Sequence, residues 1–271
     1  MSKISADYHM HTHFSPDSRS EPEKMCEAAI AAGLREIAVT DHFELMPAGD
    51  FPDGKYLIST MQAQQRALER CREKYGSQLI IRNGIEVGQP QCDPNYAAEL
   101  MRSVSFDYVI GSVHKMKGRD LGLIEYPDEK IPALVAEDLS MLYQLADTGD
   151  FDCMGHLDII KRYAAIKGKK IDLMDYREQL DPILRRLAER GKGLEINTSG
   201  LRQAARETLP SMQVLTEFRS LGGEILTIGS DAHRPEDVAA GFEDALKAAK
   251  AAGFRYLALY ENRTPHFYPI D

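Results

Sequence analysis

"HMHTHFSPDS", residues 9–18, follows the first apolar run of the chain, ISADYHMH (4–11), and its reading decides between two folds. Short apolar runs alternate with helical patterns along the whole sequence, which predicts a parallel sheet. In an open, doubly wound sheet the loop after the first strand ordinarily holds glycines that let a phosphate approach the backbone. This loop holds no glycine; it carries His9, His11, His13 and Asp17. The sheet is therefore expected to close into a (β/α) barrel, whose strands all end at one face.

Working outward, the strand-like runs are ISADYHMH (4–11), EIAVTDH (36–42), LIIRNGIEV (79–87), FDYVIGSVH (106–114), FDCMGHL (151–157), GLEINTS (193–199) and EILTIGSDAH (224–233). FRYLALY (254–260) reads as one more. Helical spacing marks EPEKMCEAAIAAG (21–33), STMQAQQRALERCREKYG (59–76), DLMDYREQLDPILRRLAERG (172–191) and PEDVAAGFEDALKAAKAAG (235–253), each stopping at a glycine.

The 271 residues, 43% hydrophobic and 28% charged, suit one large α/β domain or two smaller ones, and with no linker dividing the sequence a single domain over 1–271 is expected. Cys26, Cys71, Cys92 and Cys153 form no CxxC pair and read as reduced, mostly buried thiols. No apolar run approaches the length of a membrane span, and MSKISADYHMH lacks the apolar core of a secretory signal, so a cytoplasmic location is expected. A net charge of −9 argues against a nucleic-acid partner and mildly favours a cationic small-molecule substrate. Self-association is left open.

The chemical residues fall at strand ends. His9 and His11 close the first run, Asp41 and His42 the second, and Glu86 the third, followed by His114, His156, Asp231 and His233. Barrel closure would gather six of the eight histidines at one mouth. His9 and His11 lie two apart, as do Asp231 and His233, so each pair points to one side of its strand. Imidazoles and carboxylates without thiolates suit Zn, Mn or Fe. The donors exceed what one tetrahedral ion takes, so a multinuclear centre is expected, with Glu86 as a bridging candidate. One histidine at a strand end is ordinarily a satisfied polar group; six at the same ends are not. By strand parity His13 points away from the pair, and His266 lies in the C-terminal tail, so both read as structural. Asp41 is expected to orient a ligand rather than to bind metal.

Taken in order, DYHMH, TDH, the Glu of GIEV, SVH, GHLD and GSDAH resemble the motif set of the polymerase and histidinol phosphatase (PHP) superfamily, over residues 7–233. The resemblance implies an α/β fold, a distorted (β/α)7 TIM-like barrel, with three divalent metal ions at the strand ends. One would take His9, His11, Glu86 and Asp231; a second would share Glu86 and add His114 and His156; the third would take His42, His233 and Asp17. Asp17 departs from the pattern, since many members have histidine there.

GHLDIIKRY (155–163) and EINTSGLR (195–202) resemble segments of the histidinol-phosphate phosphatase branch whose arginines hold the substrate phosphate, which implies Arg162 and Arg202. Asn197 and Ser199 would support that loop. The implied reaction is hydrolysis of L-histidinol phosphate in histidine biosynthesis by a metal-bridging hydroxide, with Glu86, His233 and Asp17 in catalytic roles. Three divalent ions bring about +6 against about −3 from Glu86, Asp17 and Asp231, and one hydroxide leaves about +2 for a phosphate dianion. Glu44 is a candidate contact for the amine or imidazole. The rivals are a phosphoesterase acting on nucleotides or oligonucleotide ends, with Phe14, Phe43 and Phe51 as a stacking platform, and a metallo-amidohydrolase, whose usual bridging lysine is replaced here by Glu86. A metal-binding protein without catalysis is the remaining reading.

Overall fold

The apolar runs do become strands, but several are shorter than their sequence patterns. A computed structural model describes residues 5–46 and 56–270; Phe51 lies outside the described residues. In chain order the strands are β1 (Ala6–Asp7), β2 (Glu36–Val39), β3 (His42–Glu44), β4 (Ile80–Gly88), β5 (Tyr108–Ser112), a hairpin of β6 (Lys115–Met116) and β7 (Arg119–Asp120), then β8 (Cys153–Met154), β9 (Gly193–Asn197) and β10 (Leu226–Gly229). The parallel sheet runs β1-β2-β4-β5-β8-β9-β10, with β3 added to β4.

β2 and β3 keep one register on β4: Glu36 faces Ile80 and His42 faces Glu86. They are one strand interrupted at Thr40 and Asp41, whose side chains are used elsewhere. The first and last strands meet across a seam, where Tyr8 N donates to Ile228 O, Asp231 N to His9 O and His11 N to Ala232 O. A nearly closed seven-stranded barrel results.

The helices α1 (Pro22–Ala31), α2 (Ile58–Tyr75), α3 (Pro94–Ser103), α4 (Ile131–Thr148), α5 (Ile159–Ile166), α6 (Arg177–Glu189), α7 (Ser199–Arg202), α8 (Met212–Ser220) and α9 (Phe242–Ala251) lie in the crossovers between strands or follow the last one. Pro22 opens α1, where its missing N–H costs nothing, and Gly33 ends the turn beyond it at φ +78°. The pattern over 235–253 does not give one helix. A 3-10 turn at Pro235–Asp237 comes first, and α9 starts only after Gly241, whose φ is +77°.

FRYLALY becomes β11 (Tyr256–Glu261), yet it is no barrel strand. It pairs antiparallel with β12 (Thr264–Pro269), and its Ala258 and Tyr260 pack against Ala6, Tyr8, Tyr108 and Cys153 at the N-terminal ends of the strands. The end opposite the histidines is thereby plugged. All four cysteines are free thiols, three of them buried. No described helix is long and apolar enough to cross a membrane.

Candidate active site

Strand ends carry the site, as their side-chain parity requires. His9 and His11 follow β1, both fully buried, with their Nε2 atoms 3.0 Å apart. Glu86, from β4, is the hub. Its carboxylate oxygens lie 2.8 Å from His156 Nε2, 3.0 Å from His42 Nδ1, 3.1 Å from His114 Nε2, 3.2 Å from His9 Nε2 and 3.5 Å from His11 Nε2. Asp231 Oδ1 stands 3.3 Å from His11 Nε2. Asp17 Oδ2 lies between His233 Nε2, at 3.1 Å, and His42 Nε2, at 3.4 Å. The nine residues expected as metal ligands therefore meet at one place. His13 lies apart, paired at 3.2 Å with Glu21, and His266 is exposed on β12.

Two ligand candidates adopt a backbone that few non-glycine residues take: φ is +22° at His156 and +53° at Asp231. These kinks stop β8 and β10 early and turn the side chains inward. Residues held this way persist where the surroundings over-determine them, commonly at functional sites.

Two buried carboxylates that the strand-end reading passed over as ligand supports belong to the cluster. Glu195, on β9, accepts from His9 Nδ1 at 2.6 Å and from the His156 amide at 2.9 Å. Glu44, on β3, accepts from His114 Nδ1 at 2.6 Å and lies 3.9 Å from Lys115 Nζ. Both could have been found by parity, because Glu195 stands two residues before Asn197 and Glu44 two after His42. Asp41 does not touch the ring of neighbouring His42. It accepts from the Thr12 amide and hydroxyl and from Ser15 Oγ, which is 3.0 Å from His11 Nδ1. Its reach is to His11, through Ser15.

The cluster calls for positive charge. Burial opposes a charge on His9, but Glu195, Glu86 and Asp231 more than offset it and hold its pKa well above the ordinary imidazole value. Burial is likewise outweighed at His114 by Glu44 and Glu86, and at His42, pushed up to about 10 chiefly by Glu86 and Asp17. His11 goes the other way, held well down by burial and by neighbouring His233 and His42. Despite their burial, Glu86 and Asp231 are held well below the carboxylate range by the surrounding imidazoles. Overlapping sets of donors within 4.8 Å of one another include His9, His11 and Asp231; His9, Glu86 and His156; and His11, His42 and His233. Facing imidazole nitrogens around fully buried carboxylates, with no thiolate, fit divalent ions of the Zn, Mn or Fe type.

Above the cluster opens a cleft of about 550 Å³. Its far wall is basic. Arg162 Nη1 lies 3.2 Å from Ser199 Oγ and 3.5 Å from Asp231 Oδ2, while Nη2 donates to Tyr163 Oη at 2.9 Å. Arg202 Nη2 donates to Asp231 O at 2.9 Å, and its buried Nη1 has no partner among the described residues. Asn197 joins the two walls: it accepts from the Ser199 amide and hydroxyl and donates to Glu195. Phe43 is fully buried in the core and cannot offer a face to a nucleobase. The stacking platform loses that member.

Against known proteins, the model of the PHP domain matches residues 7–199. The histidinol-phosphatase of Lactococcus lactis subsp. lactis is 32% identical over 262 residues, 94% of this chain and 93% of that protein. A probable histidinol-phosphatase of Clostridium acetobutylicum is 29% identical over 248 residues, 90% of this chain and 92% of its own. Among solved structures, the histidinol phosphate phosphatase of Lactococcus lactis subsp. lactis, complexed with Zn, L-histidinol and phosphate, superposes with a TM-score of 0.80. It is 29% identical and the match covers 98% of this chain and all of that one. A putative histidinol phosphatase from Listeria monocytogenes, 20% identical with a TM-score of 0.74, shares the fold over 88% of this chain and 99% of its own.

Proposed function

The chain belongs to the PHP domain family, and from that premise we propose that it is a metal-dependent phosphatase hydrolysing L-histidinol phosphate to L-histidinol and phosphate, a step of histidine biosynthesis. One observation carries the reading. Asp231 belongs to both walls of the cleft, with Oδ1 on His11 and Oδ2 on Arg162, so a phosphate held by the arginine lies against the imidazole–carboxylate cluster.

The residues that would hold three ions are His9, His11, Glu86 and Asp231 for one, Glu86, His114 and His156 for another, and His42, His233 and Asp17 for the third. Divalent ions bound there supply Lewis acidity toward phosphoryl oxygens and acidify water. Glu195 and Glu44 fix the rings of His9 and His114 through their Nδ1 atoms, leaving Nε2 free to ligate. These two carboxylates also lower the net charge of the centre, so Arg162 and Arg202 supply more of the charge that a phosphate dianion requires. Their fork-shaped guanidinium groups, both at the cleft, suit non-bridging phosphate oxygens. At the mouth, His233 Nδ1 donates to the Asp231 carbonyl, which leaves Nε2, beside Asp17, for the third ion.

Phosphate release by the purified, metal-loaded protein from L-histidinol phosphate, mononucleotides and p-nitrophenyl phosphate tests the reading. The highest kcat/KM is expected on L-histidinol phosphate. Equal rates on mononucleotides, or no release with Zn, Mn or Fe, would reject it.

A further inference from the structure

The cleft is lined by acidic groups, and nearly all are neutralised within it. Asp17 pairs with His42 and His233, Glu44 with His114 and Lys115, Asp231 with Arg162, and Asp237 with Arg202. Glu86 is ringed by imidazoles. Asp120 is different. It lines the same cleft from β7, and no basic side chain among the described residues pairs with it. One of its oxygens, Oδ1, accepts from the Gly122 amide at 2.7 Å, which fixes the carboxylate at the start of a 3-10 turn and leaves Oδ2 available.

We propose that Asp120 selects phosphate esters whose alcohol carries a positive charge, by accepting that charge at the outer end of the cleft. This rests on the phosphatase reading above. Two further observations support the placement. A methyl carbon built on Gly122 would lie 3.0 Å from Tyr163 Cε1 and 3.1 Å from Asp120 Oδ1, so the ring and the carboxylate border the same spot. Tyr163 in turn accepts from Arg162 at 2.9 Å, and the guanidinium carbon lies 4.8 Å from the centroid of its ring. A phosphate on Arg162 therefore sends its alcohol past the Tyr163 ring toward Asp120.

Charge favours the role. Arg162, Arg202 and Lys115 are paired with acids of the cleft, which leaves Asp120 as an anion there without a basic partner among the described residues, able to receive a cationic alcohol. Glu44, the acidic residue to which the sequence pointed for this task, is committed to His114, Lys115 and Gln89. The class of substrate selected is a monoester of an amino alcohol, of which L-histidinol phosphate is one, with the ammonium rather than the imidazole as the feature read.

The test compares L-histidinol phosphate with its deaminated analogue, imidazolylpropanol phosphate, at pH 8, where the imidazole is neutral. The metal-loaded parent and Asp120→Asn are assayed, Asn keeping an acceptor for the Gly122 amide. Losing a charge-assisted hydrogen bond lowers the kcat/KM preference for the amine-bearing ester about 10- to 100-fold, chiefly through KM. An unchanged preference, or equal losses on both esters, overturns the proposal. A parent that cleaves both esters without preference also overturns it and leaves the phosphatase reading standing. If the parent cleaves neither, the phosphatase reading fails, and calorimetric binding of L-histidinol decides Asp120 separately: affinity lower in Asp120→Asn supports it, equal affinity rejects it.

Discussion

Glu195 accepts a 2.6 Å hydrogen bond from His9 Nδ1, joining two strands that are not neighbours in the sheet. His9 follows β1 and Glu195 sits on β9, with β10 between them. The seam that closes the barrel is therefore spanned by a side-chain contact inside the cluster as well as by backbone pairing.

Removing that carboxylate's charge should loosen the ring it aims. Glu195→Gln is expected to weaken divalent metal affinity about 10- to 100-fold, the usual cost of losing an outer partner of a ligating histidine. Metal titration followed by phosphate release checks this; activity should return in part at high metal concentration. Unchanged affinity would leave Glu195 a purely structural residue.

Gly229 faces the same contact from β10. A methyl group there would collide with His9 Cβ and Glu195 Oε1. Gly229→Ala should therefore lose bound metal and activity together, with the far-UV circular dichroism of the barrel retained. Full activity in this variant would mean that the close approach of the two strands is not needed.

Arg202 and Arg162 both line the cleft, and each touches Asp231, the first at its carbonyl and the second at its carboxylate. Arg202→Met should lower kcat/KM about 10- to 100-fold and weaken inhibition by inorganic phosphate by a similar factor. Arg202→Lys should restore little, since a point charge does not reproduce the fork. A variant inhibited by phosphate as strongly as the parent would remove Arg202 from the phosphate site.

A stability effect is expected at a residue outside the metal cluster. Asp138, on α4, is buried with no hydrogen-bond partner for either oxygen among the described residues. Burial first, then the nearby Asp158 and Glu137 carboxylates, push its pKa up to about 8. The folded chain thus keeps a proton that the unfolded chain releases above about pH 4. The stability that proton confers is fully present below pH 4 and is lost as pH rises toward 8. Asp138→Asn should unfold at a higher temperature than the parent at pH 8, by an energy on the order of a few kcal/mol, and differ little at pH 4. Melting curves at both pH values decide; a constant difference would exclude titration of Asp138.

Much of this was legible from spacing. The i, i+2 histidines and the strand-end rule brought together residues far apart in sequence, because a parallel barrel sends every strand end to one face; Asp17 and the arginines of the two later segments came from the family resemblance instead. What escaped has physical reasons. Glu195 sits inside an apolar strand pattern, where a carboxylate reads as an interruption until its partner is known; Glu44 lies two residues beyond the run ending at His42 and reads as a substrate contact rather than the partner of His114. Asp41 stands next to His42 in sequence, but adjacent residues on a strand face opposite ways, so it serves His11 through Ser15. The run at 254–260 has the composition of a barrel strand, and only its antiparallel partner, Thr264–Pro269, diverts it into a plug. Gly241 cut a helical pattern that composition alone would continue.

Glu86 is the residue on which the account stands, since five imidazoles converge on its two oxygens. The most direct measurement is elemental analysis of Glu86→Ala beside the parent, with phosphate release from L-histidinol phosphate recorded on the same samples. The parent should hold divalent metal and release phosphate, and the folded variant should do neither. A folded Glu86→Ala that kept both its metal and its activity would contradict the account.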